Sequence, residues 1–127
     1  MALAFQPKEG SVLMCDFRGY EEPEMVKKRH VVVIRKHKTN SKLVSVVPLS
    51  TTAPDELMDY HVEIGSMLKQ GGETCWAKSD LVATVGLARL DRCKITDRQG
   101  NRQYVLFKLQ PEELEQVKAG VRTALGL

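Results

Sequence analysis

The chain has 127 residues, a formal net charge of +3, 43% hydrophobic residues and 28% charged residues. That is the size and composition of one soluble domain, here residues 1–127, and a charge this small does not by itself establish a nucleic-acid partner. The odd, widely spaced cysteines Cys15, Cys75 and Cys93 argue against a zinc ribbon or disulfide framework, residues 1–5 lack the features of a signal peptide, and no apolar run approaches a membrane span, so a cytoplasmic protein is expected.

A first strand is predicted over residues 10–17, where Val12, Met14, Cys15 and Phe17 need burial. Residues 18–28 are polar and contain Gly19 and Pro23, which predicts a long loop, and long loops in small domains often carry function. Two strands rich in β-branched residues follow at 30–36 and 42–49, joined by a turn at 37–41. Residues 59–64 alternate polar and apolar positions, Gln70-Gly71-Gly72 reads as a turn, and 73–78 as the next strand. Residues 81–90 fit a strand end followed by a short helical turn. Residues 93–96 and 102–109 read as a hairpin around Gly100. Pro111 with Glu112 and Glu113 marks a helix start, and Leu114, Val117, Val121, Ala124 and Leu125 form an apolar stripe at helical spacing that should pack on the sheet. The expected architecture is mainly β: six or seven short strands in a strongly bent sheet, closed by a C-terminal helix.

Chemistry concentrates at two strand ends. Lys27, Lys28, Arg29 and His30 precede Val31-Val32-Val33-Ile34, and Ser50, Thr51 and Thr52 follow Val46-Val47-Pro48-Leu49. Consecutive strands of a meander pair antiparallel, so the start of the first lies beside the end of the second. A guanidinium and a hydroxyl then share one rim, a pair suited to a phosphodiester: arginine forks onto two non-bridging oxygens and the hydroxyl adds a short hydrogen bond. The basic residues from Lys27 to Lys42 supply a local field that attracts a phosphate backbone, or simply a solvated strand end and turn. If Arg29 faces the rim, alternation turns His30 to the opposite face. Trp76 alternates with Cys75 and reads as core rather than as a stacking platform for bases.

These segments, in this order, resemble the MazF/PemK/Kid toxins, the endoribonuclease arm of bacterial toxin–antitoxin systems. The first strand Gly10 to Phe17, Glu24-Met25 in the loop, Arg29-His30-Val31-Val32-Val33 as a strand opening, Val47-Pro48-Leu49-Ser50 as a strand end, and the terminal helix carry the likeness. The resemblance implies a small SH3-like (CcdB/MazF-type) barrel, a homodimer, and metal-independent cleavage of single-stranded RNA such as mRNA, with no cofactor and with neutralisation by a cognate antitoxin protein. Carried over by position, it implies Arg29 and Ser50 as the central pair, with Lys78-Ser79-Asp80 where a later Arg-x-Asp also contributes. The candidate catalytic residues are then Arg29, Ser50 and Asp80, and the candidate RNA contacts are Glu24, Lys78 and Thr51 together with Lys27 and Lys28 of the basic cluster. Three positions depart from the family pattern: His30 stands in place of proline, Ala83-Thr84-Val85-Gly86 lacks a charged pair, and Lys78 replaces an arginine and gives up its fork.

The chemistry so implied uses the substrate's own 2′-OH as nucleophile and leaves a 2′,3′-cyclic phosphate and a 5′-OH. Arg29 would stabilise the anionic phosphorane and Ser50 would hydrogen-bond the scissile phosphate without becoming modified. Asp80 could orient Arg29 or receive a proton, Lys78 could hold a phosphate, and Glu24 could accept from a base edge or serve as a base. The alternatives are a non-enzymatic CcdB-like toxin, because a barrel does not dictate its chemistry, and an inactive paralogue that only binds a protein partner.

Overall fold

Val31, Val32, Val33 and Ile34 are consecutive and all buried, which happens when a strand is covered on both faces. Val31 and Val33 belong to one apolar cluster with Leu13, Cys15, Phe17, Val46 and Leu90, whereas Val32 and Ile34 belong to another with Val12, Val47, Leu49, Phe107 and Val117. The computed structural model, which describes residues 3–66 and 73–127, builds both layers around one sheet.

That sheet contains β1 (Ser11–Asp16), β2 (Lys28–Lys36), β3 (Leu43–Ser50), β4 (His61–Ile64), β5 (Cys75–Lys78), β6 (Ala83–Gly86), β7 (Leu90–Asp91) and, after the hairpin strands β8 (Cys93–Thr96) and β9 (Arg102–Val105), β10 (Phe107–Lys108). Its order is β10-β1-β2-β3-β5-β4, with β6 also on β3 and β7 also on β1, and every pairing is antiparallel. Among the described residues no ladder joins β10 to β4, so the bent sheet is an open barrel rather than a closed ring of hydrogen bonds. A register shift between Val33 and Arg35 marks where β2 leaves the core and its side chains become exposed.

The described residues contain ten strands, more than the six or seven expected. The run over 81–90 resolves into β6, a 3-10 turn at Leu87–Arg89 and β7. The run over 102–109 divides at Leu106: β9 pairs with β8 in a separate two-stranded sheet, while Phe107 turns back to pair with Val12 and bury in the layer of Val32 and Ile34. The expected turn at Gln70-Gly71-Gly72 lies outside the described residues. Burial pushes the Cys15 thiol up to about 12 and those of Cys75 and Cys93 to about 11, so all three serve as small apolar groups and not as nucleophiles at neutral pH.

The helix α1 (Pro111–Leu125) begins where the Gln110 N–H donates to Glu113 Oε1 at 3.0 Å. Burial works against the Glu113 charge, but hydrogen bonds from Ser66, Gln110 and Gly65 outweigh it and hold the carboxyl below the usual range. The helix ends at Gly126, whose left-handed φ of 71° fits glycine better than any other residue. Leu114, Val117 and Val121 pack on the sheet as the stripe requires, but Leu125 stays exposed. The helix packs on β4, on β2 and on the 3-10 turn Ser79–Leu81, and at that turn the contact residue is Gly120.

Candidate active site

The register of four strands assembles one row of side chains at the rim. Arg29 lies opposite Cys15 of β1; His30 lies opposite Leu49, so the next step places Arg29 beside Ser50. Ser50 in turn faces Trp76 of β5, and Trp76 faces Glu63 of β4. Alternation along each strand puts Arg29 with Val31 and Val33, and Ser50 with Val46, so the row shares one face of the sheet. Arg29 is exposed and Ser50 half-buried. The Ser50 hydroxyl oxygen accepts the Thr52 N–H at 3.2 Å, which leaves its O–H to donate outward. Thr51 is exposed directly behind it.

A second group lies one row further along. Lys78 of β5 pairs with His61 of β4, and both line a groove of about 470 Å³ with Tyr60 and Asp80. Burial and then the carboxylates of Asp80, Asp59 and Glu56 push the Tyr60 phenol up, and Asp80 also hydrogen-bonds it. His61 Nδ1 accepts the Met58 N–H at 3.0 Å, so the neutral ring carries its proton on Nε2. Asp80 is thus placed with Tyr60 in the groove beside the Arg29–Ser50 row.

The remaining candidates occupy the β1–β2 loop and its end. Glu24 is held within the loop: its carboxylate accepts the Glu21 N–H at 2.9 Å, and its own N–H donates to the Glu21 carbonyl at 2.8 Å. Met25 packs on the apolar cluster of Phe17, Val31 and Val33 and ties the loop down. At the loop's base, Arg89 donates to the carbonyls of Asp16 at 2.9 Å and Arg18 at 2.8 Å and stacks 4.9 Å above the Tyr20 ring. Lys27 is exposed just before β2, while Lys28 turns to the face opposite Arg29, in a groove shared with His30.

Two residues of this site, His61 and Glu63, were not singled out by sequence reasoning, and a third, Trp76, does not take the core position expected of it. Trp76 belongs to neither apolar cluster: Cys75 and Ala77 take the core positions, and the half-buried indole sits beside Ser50. His61 and Glu63 are the polar partners of the alternating run 59–64, a signal of an exposed strand face that gave no hint of which neighbours it would meet.

A family model described as PemK-like, MazF-like toxin of type II toxin–antitoxin system matches residues 8–125. The chain belongs to this family. Among curated relatives of this PemK-like, MazF-like chain, the uncharacterized protein YifN of Escherichia coli (strain K12) is 36% identical over 117 residues, covering 74% of this chain and 78% of its own. An uncharacterized protein of Haemophilus influenzae is 39% identical over 101 residues, covering 67% of this chain and 69% of its own. Two solved structures share the fold. MazF from Deinococcus radiodurans superposes with a TM-score of 0.65 at 14% identity, over 97% of this chain and 99% of its own. An endoribonuclease in complex with its cognate antitoxin, from Mycobacterial species, gives 0.61 at 20% identity, over 95% and 96%.

The family's usual proline before the hydrophobic strand is His30 here, and its surroundings give a pH signature. Burial lowers the His30 pKa from 6.5, partly offset by the Glu73 carboxylate, so the folded protein holds the ring neutral at pH 7. The unfolded chain binds the proton more readily, so folding stability falls as pH drops from about 7 through the unfolded value near 6.5 toward the lower folded one. His30→Gln removes that contribution. Urea midpoints at about pH 7.5 and about pH 5.5 should therefore differ less for the variant than for the parent. An identical difference in both proteins would show that His30 is not the group responsible.

Proposed function

We propose that this chain is a metal-independent endoribonuclease toxin that cleaves single-stranded RNA. The observation that carries the reading is the adjacency of Arg29 and Ser50 on one exposed sheet row. In the proposed reaction the substrate 2′-OH attacks phosphorus in line; the bond to O2′ forms as the bond to O5′ breaks. The 2′ proton passes to a base and the departing O5′ takes one up, leaving a 2′,3′-cyclic phosphate and a 5′-OH. Arg29 stays protonated and forks onto the two non-bridging oxygens as their charge grows, and Ser50 donates a hydrogen bond to the same phosphate. Asp80 and Glu24 are the carboxylates for the 2′ proton, His61 offers the Nε2–H for the leaving oxygen, and Lys27, Lys78 and Thr51 hold the flanking backbone.

The family assignment and the antitoxin complex of a structural relative support a protein partner of the same kind. The proposed antitoxin places an acidic, partly disordered tail over Arg29, Lys27 and Lys28 and competes with RNA for those charges, and two chains act as a symmetric dimer. Its affinity then falls as salt rises.

The test is incubation of the purified protein with a mixed RNA pool in EDTA, followed by mapping of new 5′-OH ends. Discrete ends at a short recurring sequence are expected. Cleavage that disappears in EDTA and returns with Mg²⁺ overturns the mechanism. An intact pool, with EDTA or with Mg²⁺, moves the chain to the CcdB-like or inactive alternatives.

A further inference from the structure

The β8–β9 hairpin stands off the main sheet with two unlike faces. Cys93, Ile95 and Val105 turn into the apolar layer of Val32, Phe107 and Val117. On the other face Lys94 pairs directly with Tyr104, and Thr96 with Arg102, all of them exposed. Tyr104 leaves 53% of its surface open, and two cations approach its ring: Lys94 Nζ at 5.3 Å and the Arg92 guanidinium at 6.0 Å from the centroid. An exposed aromatic ring flanked by cations on a strand face has no packing role to explain it.

The same two cations form one wall of a groove of about 440 Å³, and Lys28 and His30 form the other. Two carboxylates, Asp16 and Asp91, also line it, but Asp16 is paired with Arg18 at 2.7 Å and Arg89 adds a further cation to set against Asp91. Lys28, Arg92 and Lys94 give the groove a positive balance. Lys28 immediately precedes Arg29 in the chain, so the groove begins at the rim where the Arg29–Ser50 row ends and leads away across the opposite face of β2 to Tyr104.

We propose that this groove and the Tyr104 face bind the single-stranded RNA that flanks the scissile phosphate, without regard to base identity. The inference rests on the RNA-cleaving reading above and adds a surface to it. Lys28, Arg92 and Lys94 contact successive phosphates, and a base stacks on Tyr104 in exchange for its cation–π contacts. Charge alone would equally suit an acidic peptide. The exposed ring between two cations favours a strand that alternates planar bases with phosphates, because it offers one partner to each.

Binding can be measured without cleavage by fluorescence anisotropy, using 2′-O-methyl single-stranded oligoribonucleotides of about four and about fourteen nucleotides. Tyr104→Ala should weaken the longer probe about tenfold and leave the shorter one unchanged, while Tyr104→Phe should bind both like the parent. Arg92→Gln with Lys94→Gln should lower the salt dependence of the longer probe by about 0.7 for each phosphate that is no longer neutralised. Tyr104 is exposed, so unchanged melting curves are expected for its variants. Indifference of the longer probe to Tyr104→Ala overturns the proposal, as does a poly-glutamate peptide whose binding, unlike that of RNA, depends on Tyr104. The two readings fail separately: loss of cleavage with Arg29→Ala but none of RNA affinity with Tyr104→Ala removes this surface alone. Tyr104-dependent RNA binding by a chain that cleaves nothing removes the catalytic reading and keeps the surface.

Discussion

Arg29→Ala is expected to slow RNA cleavage by about 10²-fold or more, the cost of removing one preorganised donor from a developing oxyanion. The reason is positional. Arg29 is exposed at the opening of β2, its register sets it beside Ser50, and a phosphate at that rim would meet a fork and a hydroxyl together. Arg29→Lys should recover part of the loss, since it restores the charge but not the bidentate geometry. Ser50→Ala should cost less than Arg29→Ala, because Thr51 lies adjacent and the charge remains. Single-turnover rates on a mapped RNA site would measure these differences, with melting curves run alongside. An exposed strand-end arginine carries little of the core, so the melting temperature should not move. An Arg29→Ala protein that unfolds early but retains its specific activity would make Arg29 structural and place the chemistry elsewhere.

The second large effect concerns stability. Gly120→Ala is expected to destabilise the fold by about 1–3 kcal/mol, as overpacking does. Helix propensity alone argues the opposite way, since alanine is favoured over glycine in a helix interior by about 1 kcal/mol. Space decides. A Cβ at Gly120 would lie 2.8 Å from the backbone carbonyl oxygen of Tyr60, 2.8 Å from Ser79 Oγ and 3.1 Å from Ser79 Cβ. The serine hydroxyl can rotate, but the carbonyl belongs to the chain entering β4 and moves only with the strand. Because the 3-10 turn at Ser79–Leu81 holds Asp80, the same strain should reach the groove of Tyr60 and His61. Denaturant midpoints of Gly120→Ala and of the same change combined with Ser79→Gly would check this. Partial recovery in the double variant is expected; a more stable Gly120→Ala protein would contradict the packing account.

Gly120 also shows where the sequence stops being readable. Its neighbours at helical spacing, Val117 and Val121, announce the buried face, but a glycine inside that stripe looks like a flaw until the turn packed against it is known. The β-branched runs of β2 and β3 were legible because burial on both faces demands continuous apolar residues, and the pairing of their ends followed from antiparallel neighbours. Hence Arg29 and Ser50 could be brought together from the chain alone. His61 and Trp76 could not, since their relation to Ser50 depends on β5 inserting between β3 and β4, a long-range pairing with no local signature. The division of residues 102–109 at Leu106 is of the same kind: one continuous strand pattern serves two partners because Phe107 has a better place in the core than on the hairpin.

The most direct test of cleavage by internal 2′-OH attack is one substitution in the substrate. An RNA carrying a mapped cleavage site would be compared with the same strand bearing a single 2′-deoxynucleotide on the 5′ side of the scissile phosphate. The account predicts that the all-ribose strand is cut to a 2′,3′-cyclic phosphate and a 5′-OH, and that the substituted strand stays intact at that position while binding with unchanged affinity. Cutting of both strands at the same rate would show that the nucleophile is not the substrate's own hydroxyl, and would contradict the roles assigned to Arg29 and Ser50.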